Sequence, residues 1–535
     1  MSASTAALGP VGRLGLWSAA HFKTVAAVWV LIAVGLGLFA PKVEHALSGA
    51  GWEATGSESV QVRKTVDREF AGLSSSALTV VVHSEDHTAT DPAFKAVIAD
   101  AERILAADER VTHVFPPRPG QSISRDGHTA VVQAGAGANS NEMVRAADDL
   151  TGELHHVQRA GVQVSLTGAS GMWSDFNEAN KSAMMKSELI SWPVTMGILL
   201  LAFGSLVAAG LPLMLTILGL IASAGSLYLG TQLVDISIWA MNFALMFALA
   251  LGIDYALLIV YRFRGALFGS HRPVKKAVGE TMDAAGKAVL FSGLTVLVSL
   301  SAVMLVPSPA FRSVAVGIMV SVVFILAATL TLLPAVLAKL GARVDNLSLR
   351  WVHSGEHRSA RFAAWGERLW RRPVAYGAVA LVALVALSVP VLGLQTGMPS
   401  IKVVPENDGS RIGYKQVQHA FGEGAPGALQ IISPRDEAPQ VAAIAKADPG
   451  VAQVMPATPG ARAGDALVPV IAKHDPSDKA VGATIDRLRS KLPPAALVGG
   501  AVAENHDLET ALGDKTPLVI GVVLLLGFVL LLVAL

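Results

Sequence analysis

An aspartate followed by a tyrosine, Asp254-Tyr255, sits well inside the apolar run 243–261. A carboxylic acid at the centre of a membrane helix costs roughly 2.5 to 3.5 kcal/mol, so it is read by default as functional. The chemistry open to it is proton transfer. In low-dielectric surroundings a carboxyl group loads and releases a proton under a modest gradient. The Tyr255 hydroxyl can donate to the carboxylate or line a chain of water. The alternative is a structural acid that ties neighbouring helices together. Asp254 is the only acid well inside any apolar run.

Two groups of residues would have to position this pair. Ala244, Ala248, Gly252 and Ala256, with Ala240 before them, recur at every fourth place and form a stripe along which another helix backbone can approach. At about 100° per residue, Asp254 lies roughly 160° around from the stripe. A helix with a small-residue seam on one side and an acid on the other is expected to touch protein on both, with Asp254 pointing into the bundle. In the run 286–306, Ser292, Thr295 and Ser299 are spaced three and four apart and share a face. They are candidates for a hydroxyl shell around Asp254, although such residues more often pack or bond back to their own helix. Asn242, earlier on the Asp254 helix, is a further polar candidate.

The rest of the composition fits a membrane setting. Of 535 residues, 52% are hydrophobic and 16% charged, with a mean hydropathy of +0.51. The net charge of +1 gives no reason to expect a nucleic-acid partner. There is no cysteine, which excludes disulfides, thiol catalysis and cysteine-ligated metals. Glu153, His155 and His156 cluster on one polar helix without a further ligand set, so no metal is expected. A P-loop and a Gly-x-Ser-x-Gly motif are absent, and no nucleophile stands at a useful spacing from a base. No cofactor and no enzymatic activity are expected.

Hydropathy divides the chain into an N-terminal segment 1–23, a first span 24–41, a polar domain 42–188, five spans in 189–337, a basic connector 338–373, a seventh span 374–394, a second polar domain 395–516 and an eighth span 517–535. The last is cut short by the end of the chain. Arg262, Arg264, Arg272, Lys275, Lys276 and Lys287 follow one span. Lys339, Arg343, Arg350, Arg358, Arg361, Arg368, Arg371 and Arg372 precede another. The positive-inside rule places both groups, and with them the N-terminus, on the cytoplasmic side, and both polar domains outside. Residues 361–372, with Trp365 and Trp370, read either as an interfacial helix on anionic lipid or as a stop-transfer flank.

The polar domains echo each other. Strands at 77–83, 111–115, 129–134 and 162–167 alternate with helices at 91–107 and 139–157 in the order βαββαβ, the ferredoxin-like arrangement. The same order is expected from strands 428–433, 451–456, 466–473 and 496–502 and helices 438–447 and 478–491. Ser59 precedes Phe70 by eleven residues and Ser410 precedes Phe421 by eleven; Gly168 precedes Asp175 by seven and Gly500 precedes Asp507 by seven. Asp175 and Asp507 read as helix-start residues. The fold class expected is thus an α-helical polytopic membrane protein with two extracytoplasmic α+β domains and an internal repeat. Transporters built from repeats place their coupling site near the midplane.

Leu251-Gly252-Ile253-Asp254-Tyr255 followed by Arg262-Phe263-Arg264 resembles the fourth span of the MMPL family, in the resistance–nodulation–division superfamily. The stretches 291–296, 330–335 and Leu166-Thr167-Gly168 with Asp175 are similar to further blocks of that family. The resemblance implies twelve spans, two porter domains and export of lipids or other hydrophobic compounds from the cell membrane, driven by protons, as in actinobacteria. It implies that Asp254 and Tyr255 are one half of a two-part relay, and that the second Asp-Tyr pair would lie in four further spans. On that count the chain is expected to be truncated. Expected partners are the lipid or hydrophobic substrate, protons and membrane lipids. A homo-oligomer or accessory membrane proteins stay open. The competing function is a non-transporting, lipid- or sterol-sensing or scaffold protein of the same fold, or an inactive remnant.

Overall fold

The computed structural model describes residues 8–159, 161–269, 271–348, 360–393, 397–461 and 464–534. The connector residues 349–359, including Arg350 and Arg358, lie outside the described residues, as does Leu535. Eight described helices are long and apolar enough to cross a membrane: Phe22–Lys42, Gly168–Phe203, Leu206–Thr231, Ile238–Gly269, Val274–Leu305, Pro309–Asp345, Pro373–Gly393 and Ala501–Leu532. Two of these begin well before their apolar stretches. The helix Gly168–Phe203 runs unbroken from the first sheet through Pro193, and Ala501–Ala534 does the same through Pro517.

Close packing centres on the Asp254 helix. Ala240, Ala244, Ala248, Gly252 and Ala256 are all buried, against Leu206–Thr231 and Pro309–Leu340. A Cβ on Gly252 would lie 2.5 Å from Thr216 Oγ1, and one on Gly317 would lie 2.6 Å from the Ala240 carbonyl oxygen. The missing side chains let three backbones converge, which is how helices associate where no hydrophobic drive exists between them. Gly252→Leu should therefore lower stability by about 1 to 3 kcal/mol, from overpacking. Detergent-resistant thermal unfolding checks it, and an unchanged midpoint would show that the seam tolerates bulk.

Polar ties complete the bundle. Trp29 Nε1 donates to Thr331 Oγ1 at 3.0 Å, and Ser321 to Ser223 at 3.0 Å. Arg264, counted in the sequence as one of the basic residues that orient the chain, is 5% exposed. It donates to the Phe203 carbonyl at 2.6 Å and its Nε stands 2.7 Å from Asp345 Oδ1. The N-terminal segment joins the bundle too: Pro10–Ala20 forms a helix whose Val11, Gly12, Gly15 and Ser18 are buried, and Gly9 N–H donates to Asp283 at 2.8 Å.

The first sheet is antiparallel in the order 111–115, 129–136, 78–83, 163–167, with Val80 opposite both Val132 and Leu166. The second follows the same order with 451–454, 465–472, 429–434 and 497–499, and a two-residue strand, Thr458–Pro459, pairs beside 465–472. Alternate residues of each inner face pack on two helices of their own segment, Phe94, Leu105, Met143 and Leu154 in the first and Val441, Ile485 and Leu488 in the second. The strand expected at 496–502 is shorter than that. Gly500 adopts φ 99°, a conformation open to glycine, and the helix starts at Ala501.

The opposite faces are covered by exchange. Helix Glu58–Glu69 precedes the first sheet in sequence, yet its Val62 and Val66, with Phe70, pack on Ile432 and Leu467 of the second. Helix Gly409–Phe421 returns the arrangement, setting Val417 on Val81 and Val131 of the first. The Asp175 and Asp507 reading is corrected here. Neither residue starts its own helix; each caps the exchanged one. Asp507 accepts from Ser59 N–H at 3.2 Å and Ser59 Oγ at 2.5 Å, and Asp175 accepts from Ser410 N–H at 2.8 Å. A carboxylate there satisfies free N–H groups and meets the positive end of the helix dipole.

Candidate functional site

Tyr255 is buried and Asp254 is exposed. The helical geometry read from the sequence puts Asp254 opposite the small-residue seam, but the expectation that it points into the bundle is not met within this chain. The seam takes up the packed face. The opposite face carries Met246, Leu257, Leu258 and Tyr261, all exposed beside Asp254. The Tyr255 hydroxyl turns to the Lys287–Ser301 helix and lies 3.4 Å from Ser292 Oγ.

Of the hydroxyls singled out, Ser292 alone meets the pair, through Tyr255. Thr295 donates back to the Phe291 carbonyl at 2.8 Å, the ordinary behaviour of a membrane-helix threonine, and Ser299 is half-buried on the same helix. Asn242 is buried, but twelve residues along the helix from Asp254 it stands about 18 Å away. It is no direct neighbour of the acid. The Ser292 helix packs against Ala501–Ala534, so the hydroxyl pair has a mechanical neighbour that reaches the second sheet.

At the sheet end a cavity of about 1230 Å³ opens between the two sheet domains and the membrane helices. Trp52, Trp173 and Phe311 line part of it, with the Trp52 and Trp173 rings stacked 6.0 Å apart and Phe311 edge-on to Trp52 at 5.4 Å. Phe176 and Trp239 extend the cluster behind them. Another part of the wall is ionic. Arg63, 9% exposed, donates to Glu504 and to Glu53, and Ser75 Oγ donates to the other oxygen of Glu504.

Glu504 belongs to the second sheet domain, since its neighbours Val502 and Ala503 sit in that core and the apolar stretch of its helix begins near Pro517. Burial pushes its carboxyl up to about 6, against Arg63 and Ser75, which draw it down. Folding therefore takes up a proton at this site. The stability it contributes is fully present below about 4.5 and is lost as pH rises through about 6, an effect of about 2 kcal/mol. Glu504→Gln should remove that slope from thermal unfolding recorded across this window; identical pH profiles for variant and parent would contradict it. Sequence reasoning missed this cluster because Arg63 and Glu504 are 441 residues apart, and an isolated Arg on an amphipathic helix carries no local sign of its partner.

Residues 51–376, more than half of the chain, match the family model described as the MMPL family. The chain belongs to the MMPL family. The resemblance drawn from Leu251–Tyr255 and its companion motifs thus holds. This MMPL chain is 28% identical, over 95% of its length, to the mycolic acid-containing lipids exporter MmpL11 of Mycolicibacterium smegmatis. It is 27% identical over 96% of its length to the membrane protein YdfJ of Bacillus subtilis. Over 75% of its length it is 33% identical to the putative membrane protein SCO6666 of Streptomyces coelicolor. It spans 56%, 71% and 56% of those relatives, respectively, little more than half of two of them.

Proposed function

We propose that this MMPL protein works in the cell membrane as a proton-driven exporter of lipids or other hydrophobic compounds, with Asp254 and Tyr255 as a relay element. The observation that carries the reading is an intramembrane carboxylate beside a buried tyrosine whose hydroxyl meets Ser292. The relative from Mycolicibacterium smegmatis is named a lipid exporter, and that supports the substrate class. The cavity between the sheet domains is the substrate chamber, entered from the outer leaflet.

Asp254 exchanges protons with water-bearing space on its open face, and that face is covered by protein in the working transporter, because an acid left against acyl chains is costly. The second Asp-Tyr pair that the family resemblance implies packs there. Protonation alters how Tyr255 and Ser292 meet, and the Lys287–Ser301 helix passes the change to Ala501–Ala534. That helix holds the helix Glu58–Glu69 through Asp507 and Ser59, and its Glu504 accepts from Ser75, just ahead of the first sheet's strand Leu78–His83, so a shift of it moves both sheet domains and the chamber between them. An energised-vesicle flux assay of a fluorescent lipid tests the reading: uptake should follow an imposed proton gradient and collapse with an uncoupler.

The proposed orientation, sheets outside and basic connector inside, has its own test. Since the chain contains no cysteine, single cysteines report without background. Gln121→Cys on the first sheet domain should react with a membrane-impermeant maleimide in intact cells, and Glu367→Cys only after lysis. The reverse pattern would invert the topology.

A further inference from the structure

The chamber wall carries an excess of acid. Glu53, Asp478, Asp486, Glu504 and Glu509 line it, against Arg63, Lys479 and His506. Arg63 is held between Glu53 and Glu504, so it offers little to a ligand. Asp486 and Glu509 are exposed. Asp486 meets His506 Nε2 at 2.8 Å, while Glu509 accepts a single backbone N–H, from Met398, at 2.7 Å. An ionised carboxylate has room for several donors, so both retain free acceptor capacity.

The second observation is aromatic. Trp52 and Trp173 present stacked indoles to the same cavity, with Phe311 beside them, and ring faces attract cations as well as apolar groups. A concave wall with an excess of one sign concentrates ions of the other and repels its own. At about 1230 Å³ the cavity exceeds the roughly 300 to 1,000 Å³ typical of drug-sized sites, leaving room for a long or polycyclic apolar body.

We propose that the chamber selects amphiphilic organic cations: an apolar body seated on the Trp52, Trp173 and Phe311 rings, with a protonated amine or quaternary ammonium head near Asp486 and Glu509. The inference rests on reading the cavity as the substrate chamber and narrows that reading. Neutral amphiphiles bind more weakly, and anionic headgroups are turned away.

The test uses the full chain in nanodiscs of uncharged lipid and fluorescence polarisation of two probes, the cation rhodamine 6G and a neutral BODIPY-labelled monoacylglycerol. Rhodamine 6G should bind saturably. The double variant Asp486→Asn with Glu509→Gln should weaken it about tenfold while changing the neutral probe less than about twofold. Both positions are exposed, so the variant is expected to unfold at the parent's temperature. A neutral probe that binds while the cation does not, or cation binding indifferent to the double variant, overturns the charge selection and leaves the chamber standing. If neither probe binds, the selection and the chamber reading fall together.

Discussion

Asp254→Asn should reduce gradient-driven transport by at least about 100-fold, to the level of vesicles without the protein, while leaving the fold intact. The side chains are nearly isosteric, and asparagine is easier to keep in a membrane than a carboxylate, so lost folding is not the expected cause of lost flux. Tyr255→Phe removes one hydroxyl and its contact with Ser292. It should slow transport about tenfold without uncoupling it, since water can fill part of the path. Ser292→Ala should resemble Tyr255→Phe, and combining the two should cost little more than either alone, because they share one interaction. Full gradient-dependent flux in Asp254→Asn would remove the residue from the mechanism.

Arg63→Ala should be the most damaging change outside the membrane part. It leaves Glu504 buried with only Ser75 as partner and strips Glu53 of its guanidinium. Removing one member of a buried ion cluster costs about 3 to 5 kcal/mol, most of it from the charge left behind. That origin gives a second, sharper expectation. Arg63→Met combined with Glu504→Gln removes both buried charges and should recover at least half of the loss. Chemical unfolding of the three proteins in one detergent measures this. A double variant no better than Arg63→Ala would contradict the charge origin of the loss, since methionine already replaces the packing of the arginine stem.

These two expectations differ in how much of them the sequence carried. Asp254 announced itself, because an acid within residues 243–261 has no neighbour of its kind and hydropathy is a local property. The opposition of Asp254 and the Ala244–Ala256 stripe was also legible, from the helical repeat alone. What covers the far side of a helix is a tertiary matter, and there the inward-pointing expectation failed: the closest helix packing is at the seam on the opposite side, and Asp254 faces out of this chain. Apart from the strand expected at 496–502, which ends at Gly499, strand and helix positions in both sheets were readable to within a residue or two because alternation and amphipathic spacing are local. The exchanged helices were not. Ser59 and Asp507 are separated by 448 positions and Ser410 and Asp175 by 235, and the matched spacings flagged all four without saying which residue meets which.

Arg264 teaches the same lesson. Its charge was counted toward orientation, yet it is buried on Phe203 and Asp345. A positive residue at a helix end can be a topological signal, a structural tie or both, and only its partners separate them.

In the proposed mechanism, Asp254 takes up and releases the proton that drives transport. Difference infrared spectroscopy of the protein in vesicles, recorded as the external pH is cycled, observes that event directly. A protonated-carboxyl stretch should come and go with pH, be absent in Asp254→Asn, and be shifted in Tyr255→Phe. A band that persists unchanged in Asp254→Asn would assign the proton to another group and contradict this mechanism.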